Sequence, residues 1–136
     1  RVVFGEVAAT ARVLAESDRA ELQAIGRRLD AGLKAWSEAT DWLLANAKIG
    51  VSGVLTAAVP YLDLAVIVTG GWLMGKAALA AAGYLDKGEG DLPFYRAKLA
   101  SAAFYADQML PQAAAKAATV VAGDAALAGM GDELFQ

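Results

Sequence analysis

From Asp18 onward the apolar positions recur three and four apart. Leu22, Ile25, Leu29, Leu33, Trp36, Thr40, Leu43 and Ala47 make one stripe, and Arg27, Asp30, Lys34, Glu38 and Asp41 fall outside it. That spacing describes one face of a long amphipathic helix. Asp30 and Lys34 stand four apart, in the favourable order for a surface ion pair. Asp18, three residues before Glu21, has the spacing of a capping box and sets the helix start. Lys48 suits the C-terminal end, just before Gly50. Upstream, "FGEVAATARVLA" at 4–15 predicts a short helix.

The pattern changes after Ser52, a candidate cap. From Ile49 to Leu85 only Asp63 and Lys76 carry charge. A helix apolar on nearly every side is the centre of a bundle or a membrane span. A span needs about 18 uncharged apolar residues, whereas the uncharged runs are 49–62, 64–75 and 77–85. A bundle centre is therefore expected, with a kink or a late helix start at Pro60. Gly88–Glu89–Gly90 turns the chain. A third stripe follows Asp91, a candidate N-cap: Tyr95, Leu99, Ala102, Ala106, Met109, Ala113, Ala117 and Val120. Pro111 should kink this helix or split it in two. The tail, with Leu127, Met130, Leu134 and Phe135, is expected to fold back as a short helix or turn. The fold class is all-α, an antiparallel bundle of three long helices (about 18–48, 52–86 and 92–123) plus short terminal helices. Residues 1–16 read as the tail of a preceding domain or a short helix, and 17–136 as the helical-bundle domain.

Composition narrows the chemistry. The 136 residues suit one domain. The chain opens on Arg1, so a processed or excised piece of a longer polypeptide is expected. No secretory h-region opens it, and a cytoplasmic location is expected. With no histidine and no cysteine, the commonest general base and metal ligand, every disulfide and the Ser–His–Asp and Cys–His arrangements are absent from this chain. Net charge is -3 and no basic cluster exceeds Arg27–Arg28, which argues against a nucleic-acid face. The high hydrophobic content, 57%, is largely alanine, the best helix former.

Few residues remain as candidates. Asp63 sits among Tyr61, Leu62, Leu64, Ala65 and Val66 and is read as a possible buried charge that needs a partner. Counting outward from the turn at 87–91 along antiparallel helices sets Lys98 opposite about residue 80 and Lys116 opposite about 62, so Lys116 is the better partner. Lys98 shares a helical face with Tyr95 and Tyr105. A lysine with a lowered pKa there would serve as a base or Schiff-base former; a packed stem with the ammonium in water is favoured. Arg96 and Lys98, two apart, point to different faces and make only a weak anion site. The acid pairs Glu38/Asp41 and Asp132/Glu133 read as solvated surface. "GVSG" at 50–53 lacks the lysine of a phosphate loop. "GGWLMG" at 70–75 has the small-residue spacing of close helix approach. No catalytic residue and no metal-ligand spacing is found.

"GGWLMGKAALAAAGYL" at 70–85 and "FYRAKLASAAFYADQMLPQAAA" at 94–115 resemble the appended C-terminal domain of acyl-CoA dehydrogenases of the 3-methylmercaptopropionyl-CoA dehydrogenase-like subgroup. The matching positions are Phe94, Tyr95, Ala97, Lys98, Leu99, Ser101, Ala102, Phe104, Tyr105, Leu110 and Pro111. "EATDWLL" at 38–44 and the Gly71–Trp72 turn fit as well, so the resemblance covers about residues 18–135. It marks Gly71, Trp72, Lys98, Phe104, Tyr105 and Pro111 as packing positions of the family. The chain departs from the pattern at Ala103, where the family often has arginine, and at Ser101, where it often has threonine; no role of that arginine carries over. The resemblance implies an FAD-dependent parent of fatty acid metabolism that forms an α,β double bond in an acyl-CoA thioester. A glutamate and a flavin outside this chain would do the chemistry. It also implies upstream dehydrogenase domains as partners, a homo-oligomer, and no cofactor held by this piece alone. The alternatives are a self-associating helical interaction module with no enzymatic parent and, behind it, a membrane-associated helical hairpin.

Overall fold

A computed structural model of the chain describes residues 2–46 and 51–123. They form five helices: α1 (Val2–Ala15), α2 (Ala20–Asn46), α3 (Val51–Lys87), α4 (Leu92–Gln108) and α5 (Gln112–Ala122). No strand occurs among the described residues, and the fold is an all-α bundle. α2 and α3 each pack against all four other helices, and α1 lies chiefly along α2. The predicted stripe of α2 is its buried face, with Leu22, Ile25, Leu29, Leu33 and Trp36 all inside. Asp30 and Lys34 meet on its outer face at 3.0 Å.

The helix ends follow from local chemistry. α2 begins at Ala20, later than the expected capping box. The Ser17 hydroxyl accepts the Arg19 N–H at 3.2 Å, and the Gln23 side chain reaches back to the Ser17 carbonyl at 2.7 Å. Glu21 turns instead toward Arg19, at 3.6 Å, while the Arg19 guanidinium reaches Asp86 at 2.8 Å. One arginine thus ties the α1–α2 turn to the end of α3. That end is a Schellman turn: Glu89 N–H donates to the Tyr84 carbonyl and Gly88 N–H to the Leu85 carbonyl. Gly88 takes the left-handed conformation this turn requires, with φ of 67°. Asp91 caps α4 as its position predicts, accepting the Phe94 N–H at 3.2 Å, with Pro93 in the first turn.

The prolines act differently. α3 runs unbroken from Val51 through Pro60, so the late start expected at Pro60 does not occur. The helix forgoes one backbone hydrogen bond there and keeps its packing on both sides. Pro111 does split the third segment, into α4 and α5. Its ring has no N–H and would clash with the carbonyl four residues back. The N–H groups of Met109 and Leu110 both turn onto the Tyr105 carbonyl, at 2.8 and 3.3 Å. This drives Leu110 inward to 2% exposure. The expected helix end at Lys48–Gly50, the cap at Ser52 and the tail from 124 lie outside the described side chains.

The core is built from Leu14, Ile25, Leu29, Leu64, Val68 and Val120, filled in by alanines such as Ala39, Ala78 and Ala113. Among the described residues no polar or charged residue is buried. Small residues let backbones meet. At Gly26 a Cβ would stand 2.7 Å from the Ala15 nitrogen and 2.8 Å from the Ala11 oxygen, so α1 and α2 touch backbone to backbone. Backbone atoms cannot swing aside as a side-chain tip can. Gly26→Ala is therefore expected to destabilise the protein by about 1–3 kcal/mol, although alanine favours helix. Gly83→Ala, where nothing lies within 4 Å, should stabilise it by about 0.5–1 kcal/mol. Urea unfolding followed by circular dichroism measures both; equal effects would contradict the close approach at Gly26.

Candidate functional site

The two segments that carry the resemblance face each other across α3 and α4. The Tyr105 hydroxyl on α4 donates to the Ile67 carbonyl of α3 at 2.7 Å. Gly70 makes the room, since any Cβ there would overlap the phenol. One residue further along α3, a Cβ on Gly71 would stand 2.6 Å from Leu110. Trp72 turns the other way, and its indole N–H donates to Thr10 of α1 at 3.0 Å. Lys76, one turn on, lies 5.0 Å over the Trp72 ring. Neighbouring residues of α3 therefore receive α4, the α4–α5 turn and α1 in succession. Burial of the Tyr105 phenol raises its pKa above the usual tyrosine value.

Other candidates fall elsewhere. Lys98 is exposed, with its ammonium 5.3 Å from the Phe94 ring. It is not gathered with Tyr105 into a site. Tyr95 stacks on Tyr84 at 4.7 Å with the rings 10° apart. Phe104 is 69% exposed and does not pack. At about 100° per residue it lies on the far side of α4 from Leu99, Ala102 and Ala106, which form that helix's buried face. Pro111 is exposed, at the cap of α5.

Asp63 is a partly exposed charge rather than a buried one. Its Oδ2 lies 3.2 Å from Lys116 Nζ of α5, and the two side chains are 46% and 37% exposed. The rotation of α3 explains this. Position 63 lies on the rim between buried Leu64 and Val68 and exposed Leu62 and Val66. A second polar cluster escaped the sequence reading. Tyr61 accepts the Trp36 indole N–H at 3.3 Å and pairs with the Thr40 hydroxyl at 2.8 Å. The Phe4 ring meets Trp36 edge-on at 4.6 Å. The signal was present: Trp36 and Thr40 are one helical turn apart.

A cleft of about 540 Å³ lies between the α1–α2 turn, the end of α3 and α4. Arg19, Glu21, Leu85, Arg96, Leu99 and Ala103 line it. Its cations are partly spent, because Arg19 already serves Asp86 and Glu21. Ala103, where the resembling family often carries arginine, sits in this wall and adds no charge. No group of three or more His, Cys, Asp or Glu able to hold a metal occurs among the described residues. Among the described residues the arrangement consists of packing contacts and surface ion pairs.

The chain belongs to the acetyl-CoA dehydrogenase C-terminal-like family, which it matches over residues 3–131. It is also similar to the 3-methylmercaptopropionyl-CoA dehydrogenase of Ruegeria pomeroyi, with 34% identity over 113 residues, 83% of this chain. The match covers 19% of that relative, so the chain corresponds to about a fifth of the enzyme's length.

Two substitutions check the polar contacts. Tyr105→Phe should lose about 0.5–1.5 kcal/mol, the usual worth of one such hydrogen bond. The raised pKa sets the pH dependence. The folded state holds the phenolic proton more tightly, so this contribution is complete below about pH 10 and is lost as pH rises through the folded pKa. The advantage over Tyr105→Phe should therefore shrink in alkaline unfolding titrations; a constant gap would contradict the buried phenol. Asp63→Asn should change stability by less than about 1 kcal/mol, and by less still in high salt. A loss of several kcal/mol would mean that the charge is buried after all.

Proposed function

We propose that this chain is the noncatalytic C-terminal helical domain of an FAD-dependent acyl-CoA dehydrogenase. The full-length parent introduces an α,β double bond into an acyl-CoA thioester, with its catalytic glutamate and its flavin site in upstream domains. This domain supports subunit contacts or covers part of the CoA or flavin site, in a homo-oligomeric cytoplasmic enzyme.

The family match over residues 3–131 is the observation that carries the reading. Two features support a supporting role rather than a chemical one. The chain has no histidine or cysteine, and among its described residues the interior contains no polar or charged residue. Acid–base catalysis needs a titratable group held where neighbours tune its proton affinity. The polar side chains here that are held in place, Tyr105, Trp72 and the Trp36–Thr40–Tyr61 cluster, are consumed by packing contacts.

The test is the visible spectrum of the purified full-length parent, before and after acyl-CoA is added. A bound flavin whose absorbance bleaches with substrate is expected. A colourless parent that stays inert after reconstitution with FAD would overturn the proposal and favour a self-associating interaction module.

A further inference from the structure

α3 carries a second apolar face that none of the described residues covers. Leu55, Val59, Leu62, Val66 and Leu73 are exposed to between 56% at Leu73 and 68% at Val59. With Thr69 their spacing is four, three, four, three, four. At about 100° per residue all six fall within roughly 80° of one another around the helix. A shallow groove of about 350 Å³ runs beside Val66, Thr69, Gly70 and Leu73. Alternating steps of three and four are the seam of a helix that packs along another helix. A core face of a globular helix is wider; α3 has that wider face too, on its buried side. The seam is therefore distinct from the packing already described.

Its flanks say what kind of partner fits. They are Thr56, Ala58, Asp63, Ala65, Gly70 and Trp72. Most are small, which lets a second backbone approach. The one charge, Asp63, is matched by Lys116 of the same chain. Nothing on the seam asks for a charged partner. Helices that lie on lipid surfaces instead carry a basic polar face, and here the nearest lysine on α3, Lys76, is at the seam's end, over Trp72.

Area decides between a tethered and a free partner. Leu and Val residues exposed to this degree offer on the order of 550 Å² of mostly apolar surface. Two freely diffusing proteins need roughly 800 Å² from each partner for a stable complex. A seam this small holds a helix when the helix is supplied by the same polypeptide, at a millimolar-range effective concentration. Resting on the reading of this chain as an appended domain, we propose that the seam from Leu55 to Leu73 seats an apolar-faced α-helix of the upstream part of the same polypeptide.

The experiment uses the full-length parent with Val66 replaced in two ways. Val66→Cys reports cover by the rate of maleimide labelling, read by mass spectrometry of the peptide that contains it. The labelling of the urea-unfolded parent is the reference. A seated helix should slow labelling by about tenfold or more, because reaction then waits for local opening. Replacement of Val66 by the photo-crosslinker p-benzoylphenylalanine names the occupant. A crosslink to a helical segment upstream of this domain in the same polypeptide is the expected result. Fast labelling with no crosslink would overturn the proposal. So would a crosslinked dimer through α3 of a second copy, a crosslink to residues 124–136, or protection that appears only with phosphatidylcholine–phosphatidylglycerol vesicles. The flavin spectrum of the same samples separates the two readings. A colourless parent that still shows the upstream crosslink keeps the seam and loses the dehydrogenase. A flavin bleached by acyl-CoA in a parent with an open Val66 does the reverse.

Discussion

The bundle is organised around how closely other helices come to the backbone of α3 between Ile67 and Gly75. Tyr105 reaches the Ile67 carbonyl only because Gly70 leaves its space open. Leu110 settles against Gly71 only because Pro111 ends α4 and turns that residue inward. Trp72 then holds α1 through Thr10. A run of small residues on α3 and a run of larger ones from Tyr105 to Pro111 are thus two halves of one contact. This explains why a chain so rich in alanine can have a defined core: position is set by a few large side chains in glycine seats, and alanine fills the rest.

The sequence made the elements of this structure legible where a periodic pattern met a local signal. The stripe of α2, the Asp91 cap and the break at Pro111 needed no tertiary knowledge. The misses have physical causes. The Asp18–Glu21 spacing suggested a capping box, but Arg19 drew Glu21 toward itself and reached Asp86, a partner 67 residues away in the chain. The resemblance marks Phe104 as a packing position, and only the rotation of α4 shows that it faces out of this bundle, 69% exposed. Asp63 sat among apolar neighbours in sequence, yet on a helix neighbours in sequence lie on different faces. The exposed seam of α3 was hidden for the opposite reason. In a helix apolar on nearly all sides, hydrophobicity alone cannot tell the buried face from the one left open.

That division of α3 into two faces connects fold to function. One face gathers the bundle into a unit; the other is covered by none of the described residues. In the cleft beside Arg19 and Arg96, the Arg19 guanidinium is already drawn toward Asp86 and Glu21. A domain with no buried charged residue among those described and one apolar seam that no described residue covers suits docking better than turnover. The reading of an appended domain on a dehydrogenase fits that combination.

The central claim, that this chain assists a catalytic body without supplying its chemistry, is tested most directly by removing it. The parent would be truncated upstream of α1, purified with flavin, and mixed with acyl-CoA under anaerobic conditions in a stopped-flow spectrometer. The account predicts that flavin absorbance still bleaches, with altered binding or assembly. A truncated protein that folds and keeps its flavin, yet leaves it fully oxidised at saturating acyl-CoA, would contradict it.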